Sequence, residues 1–336
     1  MYLKTVLAAG LAALAFGFGA QPAVAQSFHA GLSIEKLQTE EPTELALFYP
    51  TQASPMTWNL GPYSLDAAMR ATPAEKLKGL ILLSHGTGGS ELGHHNLATS
   101  LARDGYLVAA LRHPRDNWRD RSLIQTSAYF SERPKQVSRV LDALLADPRW
   151  KDRIAPDRIG AIGHSAGGFT VLALAGGVAD PSRLVAHCGQ GSDDPGFCTL
   201  GPRSKEGAND ALARPKPSDF DVRDKRIRAV VAMAPVGIVF APESLARIAI
   251  PVKIIAAEKD KVLQSKYHGA WLKERMPLAE FEEVENAGHF AFMSPMSISV
   301  PAAAGNPNED PPGFDRRAFQ QRLAQDVVDF FGRHLQ

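Results

Sequence analysis

The chain reads RIGAIGHSAGGFTVL over residues 158–172, and this stretch decides the fold. Its first part, Arg158 to Gly163, is a short apolar run that is typical of a strand buried in a parallel sheet. A helical segment begins near Ser165, inside the pattern G-x-S-x-G. Such a strand-turn-helix unit needs small residues around a sharply turned serine, and it places the hydroxyl near the positive end of the helix. The stretch therefore predicts that Ser165 is a nucleophile.

Short apolar runs and stretches of helical periodicity alternate on both sides of this segment. The alternation is typical of a mostly parallel sheet flanked by helices, so we predict the α/β fold class. We expect a single domain over residues 26–336 with an irregular lid insertion at about residues 180–228. The other predicted strands are 44–49 and 63–69, as an antiparallel edge, and 79–84, 106–111, 229–234, 252–257 and 280–284; the predicted helices include 91–104, 137–145 and 323–331.

A serine hydroxyl becomes a good nucleophile only beside a general base that a third group orients. His289 lies in a loop after the last predicted strand, and we assign it as the base. Glu258 and Asp260 both follow the preceding predicted strand, so the chain order is Ser, acid, His. We choose Asp260 because it lies farther along the loop, whereas Glu258 continues directly from the strand. The predicted catalytic residues are Ser165, Asp260 and His289.

The tetrahedral intermediate of such a reaction needs backbone N–H donors. One expected donor is the N–H of Ala166, the residue after the nucleophile. The other is the N–H of Thr87 in the loop SHGTGG, residues 84–89, where Gly86 permits a close approach of the backbone. A phosphate-binding loop is the competing interpretation, but no Gly-Lys-Ser/Thr follows and the G-x-G-x-x-G pattern is missing.

Three further histidines lie close to these motifs. His164 precedes the nucleophile, and we expect it to face away from the reaction in a packing or hydrogen-bonding role. His94 and His95 are adjacent and lack metal-ligand spacing, so we interpret them as residues of a helix surface. Neither a metal nor an organic cofactor is expected.

The composition excludes several classes of protein. Of 336 residues, 45% are hydrophobic and 22% are charged, as in an ordinary globular protein. The 37 basic and 36 acidic residues give a net charge of +1. This balance disfavours a nucleic-acid-binding role and binding to an anionic membrane surface.

The first residues have the pattern of a secretory leader. Lys4 precedes an apolar run from Val6 to Ala20, and Ala23-Val24-Ala25 offers a small-x-small cleavage pattern. A transmembrane anchor is the alternative, but the run is short and no stop-transfer charge follows it. We predict cleavage after Ala25, no membrane span in the mature chain, and a periplasmic or secreted protein.

Export changes the interpretation of Cys188 and Cys198, which are ten positions apart. In an oxidising compartment this pair is expected to form a local disulfide. The cysteines lie in the irregular stretch 180–228, and a second irregular stretch covers 294–314. Both are long for connectors, so we expect them to border a substrate pocket. Phe290, Phe292 and Trp118 are candidate apolar walls, with core packing as the favoured alternative role for any one of them.

Several motifs together resemble the α/β-hydrolase superfamily, and more narrowly its exported dienelactone hydrolase-like branch, which is related to platelet-activating-factor acetylhydrolases. They are LLSHG at 82–86, GHSAGG at 163–168, AGHF at 287–290, ALFYP at 46–50, and Arg133-Pro134 before a predicted helix. The resemblance covers nearly all of the mature chain. It implies an α/β-hydrolase fold and a serine esterase with oxyanion donors at Thr87 and Ala166.

Two departures limit this resemblance. True dienelactone hydrolases have cysteine at the position of Ser165, so their substrate is not carried over. The platelet-activating-factor enzymes place their acid after an earlier strand, which here ends in MAPVG at 233–237 without a carboxylate. The acid must then come from Glu258 or Asp260, and related enzymes carry it in the later position of a Glu-x-Asp pair.

The sequence thus predicts an exported serine hydrolase that cleaves a small-molecule or polymeric carboxylic ester through an acyl-enzyme. A polyester hydrolase, a lipase or an amidase would use the same residues, since the fold does not determine the substrate. A non-catalytic binding protein with a hydrolase fold is the alternative from another class. Acyl length, leaving group and oligomeric state stay open.

Overall fold

The computed structural model describes residues 28–38, 40–124, 126, 128–189, 192–200, 217–300 and 304–336. The predicted leader lies outside this range. The described strands are β1 (His29–Leu37), β2 (Thr43–Thr51), β3 (Met56–Leu60), β4 (Tyr63–Met69), β5 (Gly79–Ser84), β6 (Tyr106–Leu111), β7 (Ile159–His164), β8 (Ala229–Met233), β9 (Val252–Ala257) and β10 (Glu280–Val284). They form one sheet in the order β10-β9-β8-β7-β5-β6-β2-β1-β4-β3.

The helices of the same described part are α1 (His95–Arg103), α2 (Tyr129–Ala146), α3 (Ala166–Ala175), α4 (Pro181–His187), α5 (Pro195–Cys198), α6 (Pro242–Leu245), α7 (Gly269–Arg275) and α8 (Arg316–His334). Short 3₁₀ turns occur at Pro217–Phe220, Ser265–Tyr267 and His289–Phe292. Apolar residues of α2 and α3 pack in the core on one face of the sheet. Residues of α1 and α8 belong to the core on the other face.

The parallel part of the sheet runs from β6 through β5, β7, β8 and β9 to β10. Every position of β5, β6 and β7 is buried, because helices cover both faces of the sheet. Continuous apolar runs are therefore the visible signal in the sequence. The predicted bounds of β5, β6, β9 and β10 agree with the structure, and the α/β fold class is confirmed.

The other edge of the sheet differs from the expectation. β1 and β3 were not predicted, and β1 pairs in parallel with β4 although its pairing with β2 is antiparallel. No residue of β3 is buried, although its sequence MTWNL alternates apolar and polar residues in the way that is typical of a strand. The alternation was therefore a signal for this edge strand, but it spans only five residues and did not lead to a prediction.

Three helices begin elsewhere than predicted, and α8 is one of them because it begins at Arg316 rather than at residue 323. The predicted helix 91–104 starts too early, because residues 91–94 form a turn and α1 begins at His95. α2 begins at Tyr129, so Arg133-Pro134 lies inside the helix and does not precede it, as was wrongly expected. Pro134 removes only the N–H that would reach the carbonyl of Phe130, and the helix continues through it.

The carboxyl ends of four parallel strands bring the predicted motifs to one edge of the sheet. The loop 84–89 follows β5, Ser165 follows β7, Asp260 follows β9, and His289 follows β10. In open α/β sheets this edge is where ligands bind.

Candidate active site

Ser165 lies in a sharp turn between β7 and α3. Its backbone has φ 59° and ψ −119°, a left-handed conformation that costs free energy for a residue with a side chain. The turn is possible only with glycine on both sides. A β-carbon on Gly163 would lie 2.1 Å from the Gly167 carbonyl oxygen, and one on Gly167 would lie 1.9 Å from the Ser84 carbonyl oxygen. The turn thus has the tight geometry expected for a serine nucleophile.

The structure brings His289 and Asp260 together. The Nδ1–H of His289 donates to Asp260 Oδ2 at 2.7 Å, and both residues are only 6% exposed. The other carboxylate oxygen, Oδ1, accepts the backbone N–H groups of Val262 at 2.8 Å and Leu263 at 2.7 Å. With both oxygens bonded, the carboxylate is held in one orientation. The bond to Nδ1 leaves His289 Nε2 free to accept a proton.

Glu258, the other candidate acid, lies apart from His289. Its Oε2 accepts the backbone N–H of Asn286 at 2.8 Å, and its Oε1 pairs with Lys259 at 2.7 Å. These hydrogen bonds hold the pKa of the Glu258 carboxyl below its usual value. It acts here as a surface contact between two loops.

His164 connects the nucleophile turn to the loop of His289. Its Nε2–H donates to the His289 carbonyl oxygen at 2.9 Å, and the centres of the two rings are 4.8 Å apart. No hydrogen bond joins Ser165 Oγ to His289 within the described chain. Such contacts are often loose before substrate binds and then tighten.

The loop 84–89 lies against the nucleophile turn. A β-carbon on Gly86 would lie 3.2 Å from Ser165 Cβ, so the loop passes directly beside the serine. Thr87 is exposed, and its hydroxyl shares a hydrogen bond of 2.7 Å with Tyr129 Oη. Within the described chain the Thr87 N–H has no acceptor, and Ala166 is the first residue of α3, where an N–H has no partner in the helix. Both predicted oxyanion donors are therefore available.

A buried ion pair holds the loop 84–89 in place through hydrogen bonds to its backbone. The guanidinium of Arg133 pairs with Asp116, and both side chains are 0% exposed. Arg133 also donates to the His85 carbonyl oxygen and to Thr170 Oγ1, at 3.2 Å for the latter. Asp116 Oδ1 accepts the backbone N–H of Gly88 at 2.8 Å. One ion pair therefore holds the loop at two points on either side of Thr87.

Neutral histidines complete the support of the loop. His85 donates from Nδ1 to the Gly86 carbonyl oxygen at 2.6 Å and accepts the His113 N–H on Nε2 at 3.1 Å. His113 bonds to Gln136 and Ser84 through its two ring nitrogens. Burial, reinforced by the charge of Arg133, lowers the pKa of His85 to about 4, and it lowers that of His113 as well.

This support of the loop was not predicted from the sequence. A signal was present, because Arg133 lies four residues before Val137 and so belongs to the buried stripe of α2 that includes Val140 and Leu144. A charged residue on such a stripe needs a buried partner of opposite charge.

His94 and His95 are buried, with exposures of 2% and 3%, so their assignment to a helix surface was wrong. His94 packs against His164 with ring centres 5.2 Å apart, and neither ring nitrogen of His94 has a hydrogen-bond partner in the described chain. Burial lowers the pKa of His94 to about 3 and that of His95 to about 4. Two imidazoles that stay neutral can pack in a core where charged ones could not.

The predicted pocket walls have different surroundings. Phe292 is 1% exposed and packs against His164 and Phe319, so it belongs to the core. Trp118 is 55% exposed and contacts the guanidinium of Arg119. Phe290 is half-buried, packs edge-to-face on His289 and lies next to Gly305, so it is the wall candidate nearest the predicted base.

Cys188 and Cys198 form a disulfide. Such bonds persist mainly in oxidising compartments, so the disulfide is compatible with a secreted protein. Residues 201–216 of the predicted lid insertion lie outside the described residues. Within the described ranges, the helices are too short or too polar to cross a membrane. The same ranges hold no group of three or more His, Cys, Asp or Glu residues arranged to bind a metal ion.

Comparisons with known proteins agree with this architecture. A model of the alpha/beta hydrolase family matches residues 80–303. A ferulic acid esterase from Streptomyces cinnamoneus has a similar structure, with a TM-score of 0.58 and 19% identity over 94% of this chain and 92% of that chain. The esterase Pf2001 of Pyrococcus furiosus gives a TM-score of 0.50 and 12% identity over 91% of this chain and 94% of that chain. At these identities the two structures show a shared fold, and a comparison with curated proteins finds no match.

Proposed function

Because the chain belongs to the alpha/beta hydrolase family, we propose that it is a carboxylic-ester hydrolase that uses Ser165, His289 and Asp260. The observation that carries the proposal is the hydrogen bond between His289 and Asp260, at the sheet edge where Ser165 occupies its strained turn. The narrower dienelactone hydrolase-like branch stays a prediction.

The proposed reaction runs in two steps. Ser165 Oγ attacks the ester carbonyl carbon while His289 Nε2 takes its proton, and His289 then returns that proton to the leaving alcohol. Water, deprotonated by His289, then attacks the acyl carbonyl carbon, the bond to Ser165 Oγ breaks, and His289 returns the proton to Oγ as the acid is released. Asp260 keeps the His289 proton on Nδ1 and stabilises the imidazolium that forms in each step. The N–H groups of Thr87 and Ala166 stabilise the oxyanion.

The test is a panel of p-nitrophenyl esters of rising acyl length, hydrolysed by the mature chain and by Ser165→Ala. We expect wild-type turnover on at least one ester and a loss on the order of 10⁶ in Ser165→Ala, because the other residues cannot replace the nucleophile. Ser182→Ala, at an exposed serine of helix α4, is the matched control and should keep full activity. Retention of a tenth of the activity in purified Ser165→Ala would contradict the proposal.

We also propose that the protein is exported, on the basis of the predicted leader and the disulfide. Mass analysis of protein recovered from the periplasm or medium should then give a chain that begins at Gln26. A chain that still carries Met1, found only in the cytoplasm, would overturn this placement.

A further inference from the structure

The position of Asp260 depends on a short stretch of backbone. Its Oδ1 accepts hydrogen bonds from Val262 N and Leu263 N, so the chain just after the acid sets the direction of the carboxylate. This stretch continues through the 3₁₀ turn Ser265–Tyr267 to His268 at the start of α7. We call residues 261–268 the acid loop. Contacts that fix the position of the acid loop therefore also fix the orientation of the Asp260 carboxylate.

The segment Ser192–Cys198 packs directly on the acid loop. A β-carbon on Gly196 would lie 2.0 Å from the Lys261 carbonyl oxygen and 2.9 Å from Val262 Cα, so the two backbones touch. Phe197 packs edge-to-face on His268 with ring centres 4.8 Å apart. The contact thus covers both ends of the acid loop.

Two adjacent carboxylates fasten the segment to the far end of the acid loop. Asp193 lies at the surface, where its side chain pairs with Lys266 and Tyr267, and its carbonyl oxygen accepts Gln264 Nε2 at 2.6 Å. Asp194 is 0% exposed, and its Oδ2 accepts the Nε2–H of His268 at 3.1 Å.

The hydrogen bonds of His268 determine its tautomer. Its Nδ1 accepts the Gly237 N–H at 3.1 Å, so the proton is on Nε2 and points at Asp194. The same carboxylate oxygen of Asp194 accepts the Nε2–H of His187, at 2.9 Å, from the end of helix α4. Asp194 therefore joins two parts of the chain: the inserted segment through His187, and the acid loop through His268.

The disulfide closes this arrangement covalently. Cys188 follows helix α4 and His187, while Cys198 ends α5, so the bond joins the two ends of the segment that contains Asp193 and Asp194. A closed loop has fewer alternative conformations than an open one, and the segment is therefore kept against the acid loop.

We propose that the disulfide-closed segment holds Asp260 in its catalytic position through the acid loop, with Asp194 as the positioning residue. This inference rests on the proposed function, because it assigns a role relative to the Ser165, His289 and Asp260 set. Neither Asp194 nor the disulfide touches the reacting atoms. Their effect on the reaction passes through the Asp260 carboxylate.

The first measurement compares Asp194→Ala with Asp194→Asn and with Asp180→Ala. Asp194→Ala removes the acceptor of both histidines, and we expect kcat on a short p-nitrophenyl ester to fall about 10–100-fold, as for a misplaced catalytic group, with KM within about twofold. Asp194→Asn keeps one acceptor oxygen and should recover most of kcat. Asp180→Ala is the control, since it caps α4 in the same insertion without contacting the acid loop.

The deciding measurement repeats Asp194→Ala in an Asp260→Asn background, below the melting temperature of each variant. If Asp194 acts through Asp260, its removal should change kcat by less than about twofold once the carboxylate is gone. The double variant Cys188→Ser/Cys198→Ser should show the same loss of kcat alone and the same lack of effect in the Asp260→Asn background. It carries the test if Asp194→Ala does not fold.

Two results would overturn the inference: wild-type kcat in both Asp194→Ala and the cysteine variant, or an equal fold loss with and without the Asp260 carboxylate. Turnover by Ser165→Ala would instead contradict the proposed function itself, so the two failures are distinguishable.

Discussion

On one side of Ser165, the loop 84–89 is held by the Arg133–Asp116 ion pair, which lies wholly inside the protein. On the other side, Asp260 is held by backbone N–H groups of a loop that an inserted, disulfide-closed segment covers. The first support is part of the core, since Arg133 belongs to a helix packed on the sheet. The second comes from an inserted segment, although its Asp194 and His268 side chains are buried as well. The two sides should therefore respond differently to substitution.

The histidines of the two sides also differ, in whether they hydrogen-bond to a carboxylate. Among the described residues, His85, His94, His113 and His164 form no hydrogen bond to a carboxylate, and burial lowers the pKa of each. On the acid side, His187 and His268 both donate to Asp194. Burial alone would raise the pKa of the Asp194 carboxyl, but these hydrogen bonds bring it below its usual value.

The largest expected effect is on the acid side. Asp260→Asn should lower kcat by roughly 10⁴, because His289 is then held in the wrong tautomer. Glu258→Gln, measured on the same ester, is the matched control and should stay near wild type, since in the described chain the Glu258 side chain hydrogen-bonds to Asn286 and Lys259 and not to His289. If Glu258→Gln is the inactive variant, the assignment of the acid is wrong.

The oxyanion side should respond in stability as well as in rate. Asp116→Ala leaves Arg133 charged and unpaired in the core, so we expect a loss of about 3–5 kcal/mol in the free energy of unfolding. The loop also loses its bond at Gly88, and a misplaced oxyanion donor should lower kcat by roughly 10². Denaturant titration and ester kinetics measure the two effects.

Asp104→Ala is the control for that variant, because the Asp104–Lys78 pair is exposed and should contribute less than about 1 kcal/mol. The double variant Asp116→Leu/Arg133→Met removes both charges, and it should regain stability without regaining kcat. A low-stability double variant with full activity would contradict the role given to the ion pair.

The smallest effect concerns the pH dependence of stability. The pKa of His94 is about 3 in the folded chain, against 6.5 for an ordinary histidine. Between these values the unfolded chain binds more protons, so the free energy of unfolding falls as the pH drops below 6.5. At pH 5, His94 should account for roughly 2 kcal/mol of this loss.

His94→Leu keeps the volume of the side chain and removes the titrating group, so its stability should fall less between pH 8 and pH 5, by about that amount. Melting curves at the two pH values measure the difference. His29→Gln, at an exposed position, should leave the pH dependence unchanged. An unaltered pH dependence in His94→Leu would show that this histidine does not titrate in the transition.

A structural feature could be predicted from the sequence when a few neighbouring residues determine it. The central strands β5, β6 and β8 consist almost entirely of apolar residues, and the Ser165 turn needs two glycines at fixed spacing, so both are visible in a few residues. β3 lies at the edge of the sheet with no buried residue, and its alternating pattern covers only five residues. The burial of His94 depends on the packing of α1 against the sheet and on the His164 ring.

The residue pairs that hold the site in place could not be predicted, because their members are far apart in the sequence. Asp116 and Arg133 are 17 residues apart, and Asp194 and His268 are 74 residues apart, so neither pair has a sequence spacing that marks it. The disulfide was predictable because its partners are close in sequence and an exported protein favours the bond. Its contact with the acid loop required the structure.

The most direct test of the account is covalent trapping of the nucleophile. A p-nitrophenyl phosphonate ester should form a bond between its phosphorus and Ser165 Oγ, with release of p-nitrophenolate, because His289 activates this hydroxyl. Intact-mass and peptide analysis should find one adduct per chain, on the peptide that contains Ser165, and none in Ser165→Ala. An adduct on a different residue, or no adduct in a folded wild-type chain, would contradict the account.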